Sequence, residues 1–231
     1  MSGTQQDHTP HDGRRPWRSR VPLSAIAALL LVGGVLLAWG ISRQHPSPPQ
    51  AVDKGAPSAA SSAASGKAEP APGRTQFAAM PASAPVRVTI PSLKVSSGLE
   101  RLGLGEDRAM ETPRDPAKAG WYTPGPAPGS EGPSVIAGHV TWNGAPAVFF
   151  ELATLDPGDR IDVTREDGRT AEFTVDRVAV HPKDRFPTVE VYRNLDHAGL
   201  RLITCGGKYS RADSHYADNV VVYATLTGEH T

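Results

Sequence analysis

The uncharged run VPLSAIAALLLVGGVLLAWGI at 21–41 limits where this chain can build a water-soluble core. A helix of roughly 20 apolar residues spans the hydrocarbon layer of a bilayer, and this run has that length. Four arginines lie within residues 14–20, whereas only Arg43 and Lys54 follow the run closely. Because positive charge is retained on the cytoplasmic side, we predict a cytoplasmic tail at 1–20, a single-pass transmembrane anchor at 21–41, and the rest of the chain outside the cell membrane.

A cleaved signal peptide is the alternative interpretation of the same segment. Ala38-Trp39-Gly40 offers a small-x-small cleavage pattern. Signal peptides carry an apolar core of roughly 7 to 15 residues, and the core here is longer. The length therefore favours an uncleaved anchor.

Two kinds of sequence follow the anchor. Residues 42–84 are rich in Pro, Ala, Ser and Gly and contain few large apolar side chains, so they cannot bury enough surface to offset the entropy of ordering. We predict a disordered, flexible linker there. Aromatic and branched residues become dense after this segment, which predicts one globular domain at 85–231.

Short β-type runs separated by turn residues make up that domain. The runs are enriched in Val, Ile, Thr and aromatic residues, and they lie at 86–90, 134–140, 160–164, 171–180, 199–205 and 219–227. Asp167-Gly168 predicts a hairpin turn. No long segment of the domain has helical periodicity, and we predict only short helical turns near 116–120 and 147–155. The pattern indicates an all-β barrel or sandwich.

Composition excludes several classes of function. The formal net charge is +0, with basic and acidic residues interspersed, and this provides no electrostatic surface for nucleic acid. The single cysteine excludes an intrachain disulfide and a cysteine-based zinc site. The lone thiol is therefore a buried filler, an intermolecular link or a reactive group.

That thiol belongs to Cys205, which ends the run LRLITC and precedes two glycines. Strand alternation places Leu200, Leu202 and Thr204 on one face and Cys205 on the other. We expect the glycines to end the strand and to let another backbone approach the sulfur. Free cysteine is often buried, so this residue alone does not indicate catalysis.

His139 stands in IAGHV, near the end of another apolar strand and directly after a glycine. A lone cysteine and a distant histidine form the pair that thiol nucleophilic catalysis needs, since the base has to be near only in space. His215 is the competing candidate because it follows the cysteine in the same loop. Histidines before the anchor or at the C-terminus are excluded by position, and His181 and His197 fall in polar, turn-like segments.

A set of longer motifs surrounds these two residues. The motifs are IPSLKVSSGLE, GWYTPGPAPG, PSVIAGHVTW, FFEL, LDPGDRIDV, LRLITCGG and YADNVVVYATL. Together, and above all through AGHV followed by LITC, they resemble the sortase family of actinobacterial type over 86–226. The TCGG ending is most similar to the class lettered F, with class E next. The resemblance implies the closed β-barrel of sortases and catalytic roles for His139 and Cys205.

The resemblance also implies an arginine near the thiol. In many sortases that arginine stands immediately before the last apolar strand, where this chain has Asn219. The only arginine between Cys205 and that strand is Arg211, in the loop at 208–213. We predict Arg211 as the third catalytic residue, with Asn219 as the alternative, because an oxyanion is stabilised best by a donor that stays charged. Thr204 is a further candidate, for binding the donor peptide.

By the same resemblance the reaction is a transpeptidation. Cys205 attacks the Thr carbonyl of a Leu-Pro-x-Thr-Gly-like sorting signal on a secreted protein, which leaves an acyl-thioester on the enzyme. An amine of a peptidoglycan precursor then resolves the thioester, and water is the slow alternative. The resemblance implies no cofactor and no metal.

Two rival interpretations stay open. An L,D-transpeptidase also pairs cysteine with histidine in a β-rich exported domain, but no Ser-x-Gly-Cys signature surrounds Cys205. A non-catalytic exported β domain that binds peptide or wall polymer would keep Cys205 merely buried. Its thiol would then resist a soluble alkylating reagent.

Deleting residues 1–41 is expected to move the protein from the membrane to the soluble fraction, because the anchor and the domain should share no buried surface. Fractionation of cells that express the full chain or the deletion variant measures this. A variant that lacks only residues 2–13 keeps the arginines and the apolar run, and it should stay in the membrane pellet. A full chain that appears in the soluble fraction after processing near Gly40 would contradict the anchor.

Overall fold

The computed structural model of the protein describes residues 47–50, 77–106 and 108–231. The predicted cytoplasmic tail, the predicted anchor at 21–41 and most of the predicted linker lie outside these residues. Within the described ranges, no helix is long and apolar enough to cross a membrane.

The described residues form an all-β domain with a few short helical turns. Its strands are β1 (Pro85–Ile90), β2 (Val95–Leu102), β3 (Ala119–Tyr122), β4 (Gly132–Gly138), β5 (Thr141–Trp142), β6 (Ala145–Pro146), β7 (Arg160–Arg165), β8 (Thr170–Pro182), β9 (Ala198–Ser210) and β10 (His215–His230). Its helical segments are α1 (Thr188–Tyr192) and the 3-10 turns Pro91–Leu93, Leu152–Thr154 and Lys183–Arg185.

Eight of these strands close into a barrel in the order β1-β2-β3-β4-β9-β10-β8-β7, and β5 pairs with β6 in a separate hairpin. β1 pairs with β7 and so closes the ring. Most neighbours are antiparallel, but β2 pairs with β3 and β4 pairs with β9 in parallel. Closure gives each strand two partners, so no edge of the sheet is left unpaired. The predicted all-β closed barrel is confirmed.

Alternation along the strands separates two apolar clusters. The inner face fills the barrel with fully buried side chains, among them Val88, Ile161, Phe173, Leu200, Leu202 and Val222. The outer face of β4, β8, β9 and β10 carries a second cluster that includes Val135, Ile203 and Val221. Val191 of α1 is fully buried in this second cluster. The β8–β9 connection is therefore packed onto the outside of the barrel.

The packed domain includes residues before β1. Met80 is buried with the inner cluster, and its backbone N–H donates to the carbonyl of Gly129 at 2.8 Å. The side chain of Arg165 is fully buried and donates to the carbonyls of Pro81 and Pro128 and to the carboxylate of Asp167. Its buried Nε has no partner, but the bonds of its two terminal nitrogens fasten the segment that precedes β1 to the barrel.

Each of the predicted β runs falls on a barrel strand, and the predicted turn at Asp167-Gly168 joins β7 to β8 with Gly168 at φ 79°. Four strands were not predicted: β2 and β3 of the barrel, and β5 and β6 of the short hairpin. The helical turn predicted near 116–120 is wrong, because Ala119 begins β3 and its N–H donates to the buried Ser97 Oγ of β2. The turn predicted near 147–155 is confirmed in part by the 3-10 turn there. His181 lies inside β8 and not in a turn.

Candidate active site

The parallel pairing of β4 with β9 brings two predicted residues to one end of the barrel. Ala137 pairs with Ile203 in register, so both strands reach the same edge together. His139 directly follows β4, and Cys205 stands at the equivalent level of β9. Both residues line one cavity of about 780 Å³. The fold therefore collects the thiol and the imidazole that lie far apart in the chain.

Thr204 joins the two strands at this edge. Its hydroxyl donates to the carbonyl of Gly138 at 2.8 Å, and its side chain is buried on the inner face of the barrel. The bonded pair precedes Cys205 on one strand and His139 on the other. Thr204 therefore acts as a positioning residue that holds the two backbones together.

Gly138 is the position where the chain after β4 turns over the core. A Cβ atom there would lie 2.6 Å from Phe149 Cδ2 and 2.8 Å from Val148 Cγ1, so a larger residue would force the two side chains away. The N–H of Phe149 donates to the carbonyl of His139 at 3.0 Å. This close packing fixes the backbone of His139.

The imidazole of His139 has a defined hydrogen bond. Its Nε2 lies 2.8 Å from the carbonyl oxygen of Pro113, in the β2–β3 connection. A carbonyl can only accept, so Nε2 carries the proton and Nδ1 is left to exchange one. The ring of Trp142 packs at 5.0 Å between centroids and limits the movement of the imidazole.

Cys205 lies on the face of β9 opposite to Leu202 and Thr204, as the alternation predicted, and this outer position leaves it partly exposed. Asn219 of β10 stands directly opposite it in register. The ammonium Nζ of Lys183 lies 3.5 Å from Cys205 Sγ. The thiol is thus a reachable group with a cation beside it and not an enclosed filler.

The two glycines after Cys205 do not end the strand, contrary to the prediction. β9 continues through them to Ser210, and a Cβ on Gly206 would lie 2.6 Å from Val220 Cγ2. Gly207 has φ +72° and packs against Asp218, next to a shift in the β9–β10 register. The glycines are required by close packing against β10.

The other predicted residues take different places. Asn219 and Thr204 line the cavity together with Cys205. Arg211 and His215 lie at the exposed tip of the β9–β10 hairpin, where Ser210 pairs with His215. Arg211 is six residues beyond Cys205 along the chain and does not line the cavity. The structure brings His139, Cys205, Thr204 and Asn219 together and leaves Arg211 apart from them.

The cavity floor is apolar and its walls are connections between strands. Val135, Ala137 and Ile203 of β4 and β9 form part of the floor, and the β2–β3, β3–β4 and β8–β9 connections line the sides. Tyr192 and Phe186 come from the β8–β9 connection. Burial, with a smaller contribution from Tyr122, raises the pKa of Tyr192, so its phenol stays neutral at physiological pH. An apolar cleft that ends at a thiol suits an extended peptide with small apolar side chains.

Sequence reasoning missed two groups of this site. The Pro113 carbonyl is a backbone atom in a long connection, and no residue type signals it. Ala179, His181 and Lys183 are spaced two residues apart, so they would lie on one face if β8 continued to Lys183. That is the face on which Cys205 lies. Only the strand order shows that this face of β8 lies near β9.

Replacing Thr204 by Val is expected to lower the free energy of unfolding by about 1 kcal/mol, because the Gly138 carbonyl loses its donor while the shape of the side chain is kept. Thr204→Ser retains the hydroxyl and is the matched control for the hydrogen bond. Urea unfolding of the three proteins measures the difference. Equal stability of the Val variant and the wild type would show that the bond does not hold the strands together.

Comparison with known proteins identifies the barrel. The family model of the sortase domain matches residues 88–227, which is more than half of the chain. Comparison with curated protein sequences gave no significant match.

Solved sortase structures share the fold. Sortase A from Corynebacterium diphtheriae aligns with TM-score 0.50 and 19% identity over 63% of this chain and 62% of its own, and a lid mutant of it aligns with 0.50 and 21% over 64% and 73%. Sortase A of Listeria monocytogenes aligns with TM-score 0.49 and 21% identity over 64% of this chain and 90% of its own. At this identity the two Corynebacterium structures, with TM-score 0.50, show a common fold and no more. With the family match over residues 88–227, the chain belongs to the sortase family.

Proposed function

We propose that this protein is a cysteine transpeptidase that cleaves a Leu-Pro-x-Thr-Gly-like sorting signal and transfers the acyl part to an amine of the cell wall. Membership of the sortase family supports a transpeptidase. The observation that carries the assignment to named residues is that Cys205 and His139 stand at the level where the parallel pairing of β4 with β9 ends, on one cavity.

In the acylation step the Cys205 thiolate gives an electron pair to the Thr carbonyl carbon, and the carbonyl π pair moves onto oxygen. When that pair returns, the carbon–nitrogen bond breaks and the leaving amine takes a proton from the imidazolium of His139. The Pro113 carbonyl holds Nε2–H, so Nδ1–H is the proton that is given up. The products are an acyl-thioester and a free amine.

In the second step an amine of the peptidoglycan precursor attacks the thioester. The Nδ1 atom of His139, now without a proton, accepts one from the attacking nitrogen, and the Cys205 thiolate leaves. The enzyme returns to its starting state, as a transferase requires. Water can replace the amine and would release a hydrolysed signal peptide.

The apolar cavity is the proposed site of the donor peptide. Its floor and aromatic walls match the Leu and Pro of the signal, whose burial the hydrophobic effect favours. Thr204 stays a proposed contact of the donor peptide. The variant Thr204→Val tests this contact, because a raised KM with an unchanged kcat would indicate that the hydroxyl binds the peptide. Arg211 stays a proposed oxyanion donor, with Asn219 as the alternative.

The class and the location are further parts of the proposal. The TCGG motif at 204–207 supports class F, with class E next. Mass spectrometry of the acyl-enzyme trapped from a peptide library would identify the preferred signal.

The arginines before 21–41 support a single-pass membrane protein with a cytoplasmic N-terminus and an extracellular catalytic domain, and fractionation of the 1–41 deletion variant tests it.

The partial exposure of Cys205 argues against the rival view of a non-catalytic domain with a buried thiol. Under the transpeptidase proposal, Cys205→Ala is expected to abolish cleavage of a fluorogenic signal peptide without unfolding the barrel, because the residue supplies the bond-forming atom and its removal leaves only a small void. His139→Asn should lower kcat/KM by about 10²–10⁴-fold, the usual effect of losing a positioned proton-transfer group.

The matched control for His139 is His215→Asn, which changes a histidine at the exposed hairpin tip and should cleave at the wild-type rate. Thermal unfolding of each variant separates loss of activity from loss of fold. The opposite order of the two histidine variants would assign proton transfer to His215. Peptide cleavage by Cys205→Ala would refute the thiol mechanism.

A further inference from the structure

Lys183 places an ammonium group against the candidate nucleophile. Its Nζ lies 3.5 Å from Cys205 Sγ, within hydrogen-bonding reach of sulfur. Among the described residues no carboxylate forms an ion pair with Lys183, whereas the neighbouring Arg185 lies 3.8 Å from Asp184. The ammonium of Lys183 is exposed to solvent and contacts the thiol, and no described carboxylate lies within ion-pairing distance of it.

The strand order explains how Lys183 reaches the site. Cys205 of β9, Asn219 of β10 and His181 of β8 stand in one cross-strand row, so their side chains share the outer face. Lys183 comes two residues after His181 and begins a 3-10 turn, which directs it back over the row. The same connection continues to Tyr192, which lines the cavity. Lys183 thus belongs to the segment that walls the donor site.

Other cations near the site are placed differently. Arg211 stands at the exposed hairpin tip, away from the cavity. Arg108 lines the cavity from the β2–β3 connection. Arg185 is exposed, as Lys183 is, but its guanidinium interacts with its neighbour Asp184. Asn219, directly opposite Cys205, is neutral.

We propose that Lys183 is a catalytic residue that supplies the positive charge for acylation. The resemblance to sortases assigns this role to an arginine. This inference rests on the transpeptidase function proposed above. When Cys205 is ionised for attack, Nζ–H donates to its thiolate. As the carbon–sulfur bond forms, the negative charge passes from sulfur to the carbonyl oxygen bonded to the same carbon, and Nζ–H donates to that oxygen.

The lysine side chain suits this transfer of charge. Its ammonium is a compact charge with three donors on a flexible four-carbon stem, so a small shift carries it from the sulfur to the adjacent oxygen. A donor that follows the charge stabilises the transition state beyond the ground state, and this difference raises the rate of the chemical step. Loss of the ammonium should therefore reduce acylation more than peptide binding.

The first test uses the thiol alone and needs no peptide. Iodoacetate and iodoacetamide both alkylate the thiolate, with iodide as the leaving group. Only iodoacetate is an anion, so the ratio of the two alkylation rates reports the local charge. Lys183→Met should lower the iodoacetate/iodoacetamide ratio by about fivefold at low ionic strength, the effect of one unit charge about 4 Å away in water. Added salt should reduce the ratio for the wild type and leave the Met variant nearly unchanged. Arg185→Met removes a charge from the same turn and is the matched control.

The second test measures single-turnover acylation by a signal peptide. Lys183→Met should slow acylation by about 10²-fold, as the loss of one oxyanion donor does, with little change in the peptide concentration that gives half the maximal rate. Lys183→Arg keeps the charge and should restore most of the rate, whereas a merely structural role would not distinguish the Arg and Met variants in this way. Arg211→Ala is measured in parallel as the rival assignment.

The two tests separate this inference from the proposed function. A wild-type protein that cleaves no signal peptide defeats the proposed function, while the alkylation ratio still decides whether Lys183 acts on the sulfur. A ratio and an acylation rate that Lys183→Met leaves unchanged would overturn the inference. So would a loss of acylation in Arg211→Ala that Lys183→Met does not share.

Discussion

The parallel pairing of β4 with β9 is the contact on which the candidate site depends. Parallel strands run toward the same edge, so the residues that follow them emerge side by side, which antiparallel strands cannot achieve with their C-terminal ends. The register fixes which side chains meet there. A slip of one residue would turn Cys205 into the barrel and Thr204 outward. The bond from Thr204 to the Gly138 carbonyl and the packing on Gly138 both stabilise the register at that edge.

The two faces of these strands have different functions. The inner face holds the apolar core that makes the barrel rigid, and the outer face carries Cys205 in a row with Asn219 and His181. The connections that pack onto the outer face then supply the cavity walls, the Pro113 carbonyl and the Lys183 ammonium. A rigid sheet thus positions the thiol, and in the proposed mechanism the loops supply the groups that recognise and polarise the substrate.

Sequence reasoning predicted the parts of the fold that have local causes. Runs of branched residues predicted the long strands, Asp-Gly predicted the β7–β8 hairpin, and alternation placed Cys205 on the face opposite to Leu202 and Thr204. β2 was missed because VSSGLERL is mostly polar, and β3 was missed because it is only four residues long. Pairing within the closed barrel stabilises both strands. α1 was missed because TVEVY is rich in β-branched residues, and the burial of Val191 overrides that propensity.

The site residues that belong to sequence motifs could be predicted. The site residues that are brought together only by tertiary contacts could not. His139 and Cys205 stand in motifs, whereas the approach of Lys183 to the thiol arises from the order of β8, β10 and β9, which no local pattern reveals. Residues 1–41, on which the proposed location depends, lie outside the described residues.

The most direct measurement for the account as a whole is the mass of the enzyme during turnover. The protein would be mixed with a signal peptide without an amine acceptor, quenched in acid, and analysed as intact protein and as proteolytic fragments. The account predicts an adduct with the mass of the peptide's acyl part, located on the fragment that contains Cys205 and released by hydroxylamine as a thioester is. Turnover with no adduct, or an adduct on another residue, would contradict it.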